Sequence, residues 1–292
     1  STIWQHLIPF RILDRAGKIR SAPRDALIAD ISTDANRGKN FGFLRMADNL
    51  GAVVGILICI AFFNLIGYRN LFILAAIPSL IGAILIIVKI KETSPSERAI
   101  YKGLHFRDLS GNFLLFLTLS AIFAVGNFTY SFLLIYAKQT GFKIAFVPVL
   151  YLIYTFFASV SSYPFGKLAD KIGRRTVMLL ALLFWALVCL DIVFFKSYWL
   201  MILVFVLYGM HKGALEPVQS TLVSELAPEK FRASCIGTYQ MVIGLCAFPA
   251  SLIAGLLWDR IGLLVPFYLS LSLTILAGIL MLFVKEPNSS NS

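Results

Sequence analysis

The 292 residues are 59% hydrophobic and only 14% charged, with a mean hydropathy of +0.82. A soluble domain carries a charged coat of about 25% of its residues, so this chain is built for lipid. Its net charge of +11 sits in short loops between apolar runs and forms no patch on a polar face, which excludes nucleic acid as a partner.

Crossing ~30 Å of hydrocarbon takes about 20 apolar residues as helix. The apolar runs are continuous where barrel strands would alternate, so the spans are helices. An all-α integral membrane protein with nine transmembrane helices is expected, at about 4–30, 38–64, 70–90, 110–138, 143–169, 175–195, 198–226, 231–257 and 263–285. The arginines scattered through the first stretch rule out a signal peptide.

At 100° per residue, Arg11, Asp14, Arg15, Lys18 and Asp25 of the first span share one arc of roughly 100°. Each charge near the membrane centre costs at least ~2.5–3.5 kcal/mol on insertion scales, so such a face must line water or pair internally. Asp14 and Lys18 make an i,i+4 pair of the favourable order, and the remaining cations leave a positive stripe. Arg20 and Arg24 lie opposite, where snorkelling or pairing with the second span is expected. The second span adds Arg45, Asp48 and Asn49.

The longest polar stretch, 91–109, separates three spans from six. Asn127 and Tyr130 in the fourth span and Tyr154 in the fifth are further lining candidates, with helix–helix packing the commoner role for each. On the seventh, Tyr208, Lys212, Glu216, Gln219 and Ser220 share a face from which His211 points away. The four cysteines, Cys59, Cys189, Cys235 and Cys246, all lie in apolar stretches as packing residues. Neither they nor the scattered His6, His105 and His211 have metal-ligand spacing, and no nucleophile–base pair or phosphate loop is present. Neither an enzyme nor a cofactor is expected.

Loop charge orients the spans. Alternate loops starting after the first span, with the C-terminal tail, hold fourteen Lys and Arg, against five on the other side. The C-terminus is therefore expected in the cytoplasm and residue 1 outside. Sliding the chain on itself by 195 residues places Asp30 on Glu225, Arg37 on Arg232, Gly42 on Gly237, Met46 on Met241 and Gly67 on Gly262. The first three spans thus read as a copy of the last three. Duplicated halves are common in transporters, with the substrate site between them near the midplane. If each half has six spans, three are missing before residue 1.

Between the fifth and sixth spans runs Gly166-Lys167-Leu168-Ala169-Asp170-Lys171-Ile172-Gly173-Arg174-Arg175. It resembles the G-x-L-A-D-[RK]-x-G-R-[RK] loop of the major facilitator superfamily at every specified position. In that family the loop joins helices two and three and again eight and nine, which makes the first span here helix four, the register the repeat also gives. The resemblance implies that Gly166, Asp170, Gly173, Arg174 and Arg175 form a gate. Asp170 is expected on the N-terminus of the eighth span near Phe231 to Ala233, with Arg174 locking the halves together. Arg11 to Gly17 resembles the family's helix-four pattern, with Asp14 for glutamine and Arg15 for the first glycine, and the run from Asp14 to Leu27 is similar to a bacterial subgroup. Gly51 to Ile56 is similar to the helix-five antiporter motif, except that Ile56 replaces its proline.

The units that follow are 1–90, the last three helices of the N-terminal half; 91–109, the inter-half loop; 110–286, the six-helix C-terminal half; and 287–292, a polar tail. The resemblance implies a secondary active transporter in a cell membrane, a bacterial inner membrane, whose partners are the bilayer, a small organic solute and protons. Arg11, Arg15, Lys18, Tyr208, Lys212 and Gln219 are the candidates for substrate binding, and their charge favours an anionic solute. Asp14, Asp25, Asp48 and Glu216 are those for proton coupling. Multidrug efflux and a non-transporting sensor or assembly subunit are the alternatives.

Overall fold

Every apolar run among the described residues folds as helix, as it must where lipid offers the backbone no partner. The computed structural model describes residues 21–89, 109–143, 146–195 and 198–286. In chain order the helices are α1 (Ser21–Ile31), α2 (Arg37–Lys89), α3 (Gly111–Gly126), α4 (Tyr130–Gln139), α5 (Val147–Ile172), α6 (Arg174–Phe194), α7 (Tyr198–Leu226), α8 (Arg232–Arg260) and α9 (Val265–Met281), with a 3-10 turn at Glu229–Phe231 before α8. Among the described residues six stretches are long and apolar enough to cross a membrane: Arg37–Phe63 of α2, Gly111–Gln139 across α3 and α4, α5, α6, Trp199–Leu226 of α7, and α8. Arg69–Leu85 and α9 are apolar but shorter. Of the expected first span only α1 is described, so Arg11, Asp14, Arg15 and Lys18 lie outside the described residues, as does most of the polar stretch 91–109.

Two expected spans differ in detail. The second and third are joined with no loop: α2 is interrupted only at Gly67, whose φ of 69° and ψ of 171° leave the helical region and which lacks the Cβ that would strain there. The fourth span is two helices. α3 starts at an N-cap, Ser110, whose Oγ accepts from Phe113 N at 3.1 Å. It ends at Asn127, and Thr129 is extended before α4 begins.

The tightest helix contact uses small side chains, which let membrane helices approach closely. α5 lies between α2 and α7. A Cβ on Gly42 of α2 would sit 2.6 Å from the Ser162 carbonyl oxygen, and one on Gly38 the same distance from that of Gly166. Ser159 Oγ also donates to the Met46 carbonyl at 3.0 Å across this seam. Gly42→Val is therefore expected to push α2 off α5 and lower stability by about 1–3 kcal/mol, the usual cost of overpacking. Thermal unfolding in detergent beside a Gly237→Val control checks it, because Gly237, the repeat mate, has no neighbour nearer than Ala22 Cβ at 3.9 Å.

A group of buried aromatics gathers round Trp185 of α6, whose ring meets Phe128, Tyr208 and His211. Its Nε1 donates to Ser270 Oγ of α9 at 2.8 Å, which satisfies the buried indole. By contrast α2 and α8 carry large exposed apolar side chains, among them Leu57, Phe62, Leu245 and Phe248, as a lipid-facing surface allows.

Candidate functional site

Two charge clusters join α1 and α2 to α5, α7 and α8. In the first, Arg45 Nη2 on α2 donates to Asp25 Oδ2 of α1 at 2.6 Å and to Ser220 Oγ of α7 at 3.1 Å. Gln240 Nε2 on α8 donates to the same Asp25 oxygen at 3.3 Å, and Ser21 Oγ donates to Gln240 Oε1 at 2.8 Å. The 195-residue offset pairs these positions with each other: Asp25 falls on Ser220, Arg45 on Gln240, and Ser21 on Glu216. Glu216 in turn acts electrostatically on Arg45, the mate of the Ser21–Gln240 contact. The contacts between the copies are thus reciprocal about the repeat, while the Arg45–Asp25 pair lies within the first copy.

Asp25 is only 1% exposed, and a carboxylate so buried is tolerable because Arg45 and Gln240 both serve it. Towards the surface, Arg24 pairs with Asp48 at 3.1 Å and with Asp25 at 3.4 Å, and Arg45 lies 3.5 Å from Asp48. Arg24 therefore meets the second span, the pairing expected for it. Lys212 and Glu216 stand one turn apart on α7, with Gln219 and Ser220 a turn further on, all half-buried. Among the described residues Arg24, Arg45 and Lys212 balance Asp25, Asp48 and Glu216, so the positive stripe rested on Arg11, Arg15 and Lys18.

Aromatic rings continue the α7 face. Lys212 Nζ lies 5.8 Å from the Tyr208 ring centroid, and Tyr154, Tyr151 and Tyr130 follow at centroid spacings of 5.2, 5.3 and 5.1 Å. His211 points away, as expected. It is fully buried, with Nδ1 at 2.8 Å from the Ala181 carbonyl and Nε2 at 3.3 Å from Asn127 Nδ2. Donation to that carbonyl puts the proton on Nδ1, so Nε2 accepts from Asn127. His211 thereby pins the break between α3 and α4.

The second cluster holds the signature loop. Asp170, at the end of α5, accepts from Gly38 N at 2.9 Å and Lys39 N at 2.7 Å. These are free N–H groups at the start of α2, where the helix dipole also favours an anion. The expected site near Phe231 to Ala233 is thus corrected. The residues Asp170 binds, Gly38 and Lys39, are the repeat mates of Ala233 and Ser234 at the start of α8, and α5 packs on α2, which puts the other copy within reach. Arg174 donates through Nε to Glu225 at 3.1 Å, lies 3.2 Å from Asp170 and also donates to the Asp34 carbonyl. Arg37 reaches Asp34 at 2.7 Å and Glu225 at 3.6 Å.

This cluster is reciprocal too. Arg37 of α2 meets Glu225 of α7, while its mate Arg232 of α8 meets Asp30 of α1 at 2.7 Å. Gly173, at φ 97°, turns the chain into α6, and Glu286 caps that helix by accepting from Arg175 N at 2.5 Å. Arg175 Nη1 also donates to the Leu282 carbonyl at 3.2 Å.

Gln240, Ser21, Arg37, Asp34 and Glu225 were not among the expected site residues. The offset itself would have found Gln240, as the mate of Arg45. No group of three or more metal-ligating side chains occurs among the described residues.

Sequence comparison bears on the same features. The model of the Major Facilitator Superfamily matches residues 1–153 and 114–292. An uncharacterized MFS-type transporter of Methanocaldococcus jannaschii is 35% identical over 293 residues, covering 97% of this chain and 73% of that protein. The quinolone resistance protein NorA of Staphylococcus aureus is 26% identical over 269 residues, 90% of this chain and 68% of its own. The multidrug resistance protein MdtG of Proteus mirabilis is 26% identical over 162 residues, 54% of this chain and 40% of its own. With the family model matching along its length and its signature loop locking α5 to α2, the chain belongs to the major facilitator superfamily of multi-pass membrane transporters.

Proposed function

We propose that the protein is a secondary active transporter that moves a small organic solute by alternating access and couples this to protons. The observation that carries the reading is Asp25, a buried carboxylate shared by Arg45 of one repeat copy and Gln240 of the other. Separating the copies removes Gln240 from Asp25 and Ser220 from Arg45. A proton on Asp25 then releases Arg45, whose guanidinium can take the anionic group of a solute. Solute and proton thus exchange at one ion pair. Arg11, Arg15 and Lys18 would add positive charge, with Tyr208, Lys212 and Gln219 lining the opposite wall and Asp14, Asp48 and Glu216 as further proton carriers.

In this reading the chain provides helices four to twelve, divided into halves at 91–109, and spans the membrane nine times. The bias of fourteen basic residues to five puts the C-terminus and the Asp170 cluster in the cytoplasm. A bacterial inner membrane is the setting. Gly166, Asp170, Gly173, Arg174 and Arg175 form the cytoplasmic latch that opens in the inward-facing state.

Multidrug efflux is the second reading. The names of the relatives NorA and MdtG favour it, as does the balanced charge of the described cluster. Uptake and efflux in proteoliposomes of the full protein, with a panel of organic anions and lipophilic cations, test both. A pH gradient is expected to drive anion accumulation, and Asp25→Asn to abolish the drive. Transport of cations alone would favour the second reading, and transport indifferent to the gradient would refute proton coupling.

A further inference from the structure

Away from both clusters, a small pocket lies at the other end of the bundle, between α4, α6 and the start of α7. Tyr136, Thr140, Asp191, Ile192, Phe195, Leu200, Met201 and Val204 line it, and it has room for about one water-sized body. Asp191 is 9% exposed, and its Oδ2 is buried without a hydrogen-bond partner. No ion pair reaches it among the described residues. An ionised carboxylate left so is costly, and buried charges are ordinarily paired or hold a cation.

The neighbouring hydroxyls suit a cation. Tyr136 Oη donates to the Ile192 carbonyl at 3.3 Å, and Thr140 Oγ1 to the Ala137 carbonyl at 2.9 Å. With their protons committed, both oxygens offer only lone pairs to whatever the pocket holds. One carboxylate and two hydroxyl oxygens compensate a single positive charge. Calcium would ask for six to eight oxygens and magnesium for an octahedron that retains its waters, more than so small a pocket supplies.

We propose that Asp191, Tyr136 and Thr140 contribute ligands to a sodium ion site, separate from the solute path, which ties α4 to α6 when filled. Its test needs no transport assay and so stands apart from the proposed function. The full protein is unfolded by heat in detergent while NaCl replaces choline chloride at constant ionic strength. Sodium is expected to raise Tm by about 2–4 °C, potassium to do so less, and Asp191→Asn to keep the choline Tm but lose the sodium response. Tyr136→Phe should keep the fold and weaken the apparent sodium affinity several-fold. A wild-type Tm indifferent to sodium, or an equal shift in Asp191→Asn, would overturn the proposal. So would a sodium response that vanishes once pH is held constant, since Asp191 would then be binding only a proton.

Discussion

Asp170→Asn is expected to cut transport at least tenfold and to shift the protein towards the state in which α2 and α5 part. The carboxylate is 7% exposed and serves three donors, Gly38 N, Lys39 N and Arg174. The amide offers one oxygen in place of two, and turns its NH2 towards groups that also donate. Breaking a buried pair from one side costs about 3–5 kcal/mol. At about 1.4 kcal/mol per factor of ten, that moves a two-state equilibrium by about two to three and a half orders of magnitude. By comparison Asp30→Asn, which breaks the Arg232–Asp30 pair, loses a carboxylate already 39% exposed, where such bridges contribute about 1 kcal/mol or less. Initial transport rates in proteoliposomes compare the two. Equal effects would contradict the larger role assigned to the buried Asp170.

The second large effect is at Arg45. Arg45→Ala leaves the buried Asp25 with only the Gln240 amide at 3.3 Å and the more exposed Arg24 at 3.4 Å, and the loss of its closest cation is expected to destabilise the fold by about 3 kcal/mol. Removing both charges should be milder than removing one. Asp25→Asn with Arg45→Ala is therefore expected to be about 2 kcal/mol more stable than Arg45→Ala alone, a coupling of the size seen between directly paired groups. Unfolding of the single and double variants in detergent measures it, and additive losses would mean that the two side chains do not depend on each other.

The signature loop could be read from sequence because its residue types are fixed by what they do: a carboxylate for a helix N-terminus, glycines where two backbones meet, and arginines for carboxylates. Which N-terminus it meets could not be read. Arg37 and Arg232 open α2 and α8 with similar sequences, and only the packing of α5 against α2 chooses between them. The charged members of the central cluster stood out because Asp25, Asp48 and Glu216 are expensive in an apolar helix. Gln240 is neutral and alone on its helix, so no charge pattern marked it; the repeat was the signal that could have.

The break at Asn127 left a weaker trace. A single Gly126-Asn127 step in an apolar run reads as tolerated in a helix, and it is the buried His211, one span away in space and 84 residues along the chain, that holds the Asn127 amide there. Spans two and three merged for the opposite reason: one glycine with a permissive backbone turned the chain where a loop had been expected.

The most direct test closes the latch chemically. With Cys59, Cys189, Cys235 and Cys246 replaced by serine or alanine, cysteines are placed at Lys39 and Lys171, both exposed at the rim of the Asp170 cluster. A short bis-maleimide then joins them, and transport is measured before and after. Cross-linked protein is predicted to keep its fold and lose transport, with either single-cysteine variant unaffected by the reagent. Transport at the unmodified rate with α2 and α5 covalently tied would contradict a latch that must open in each cycle.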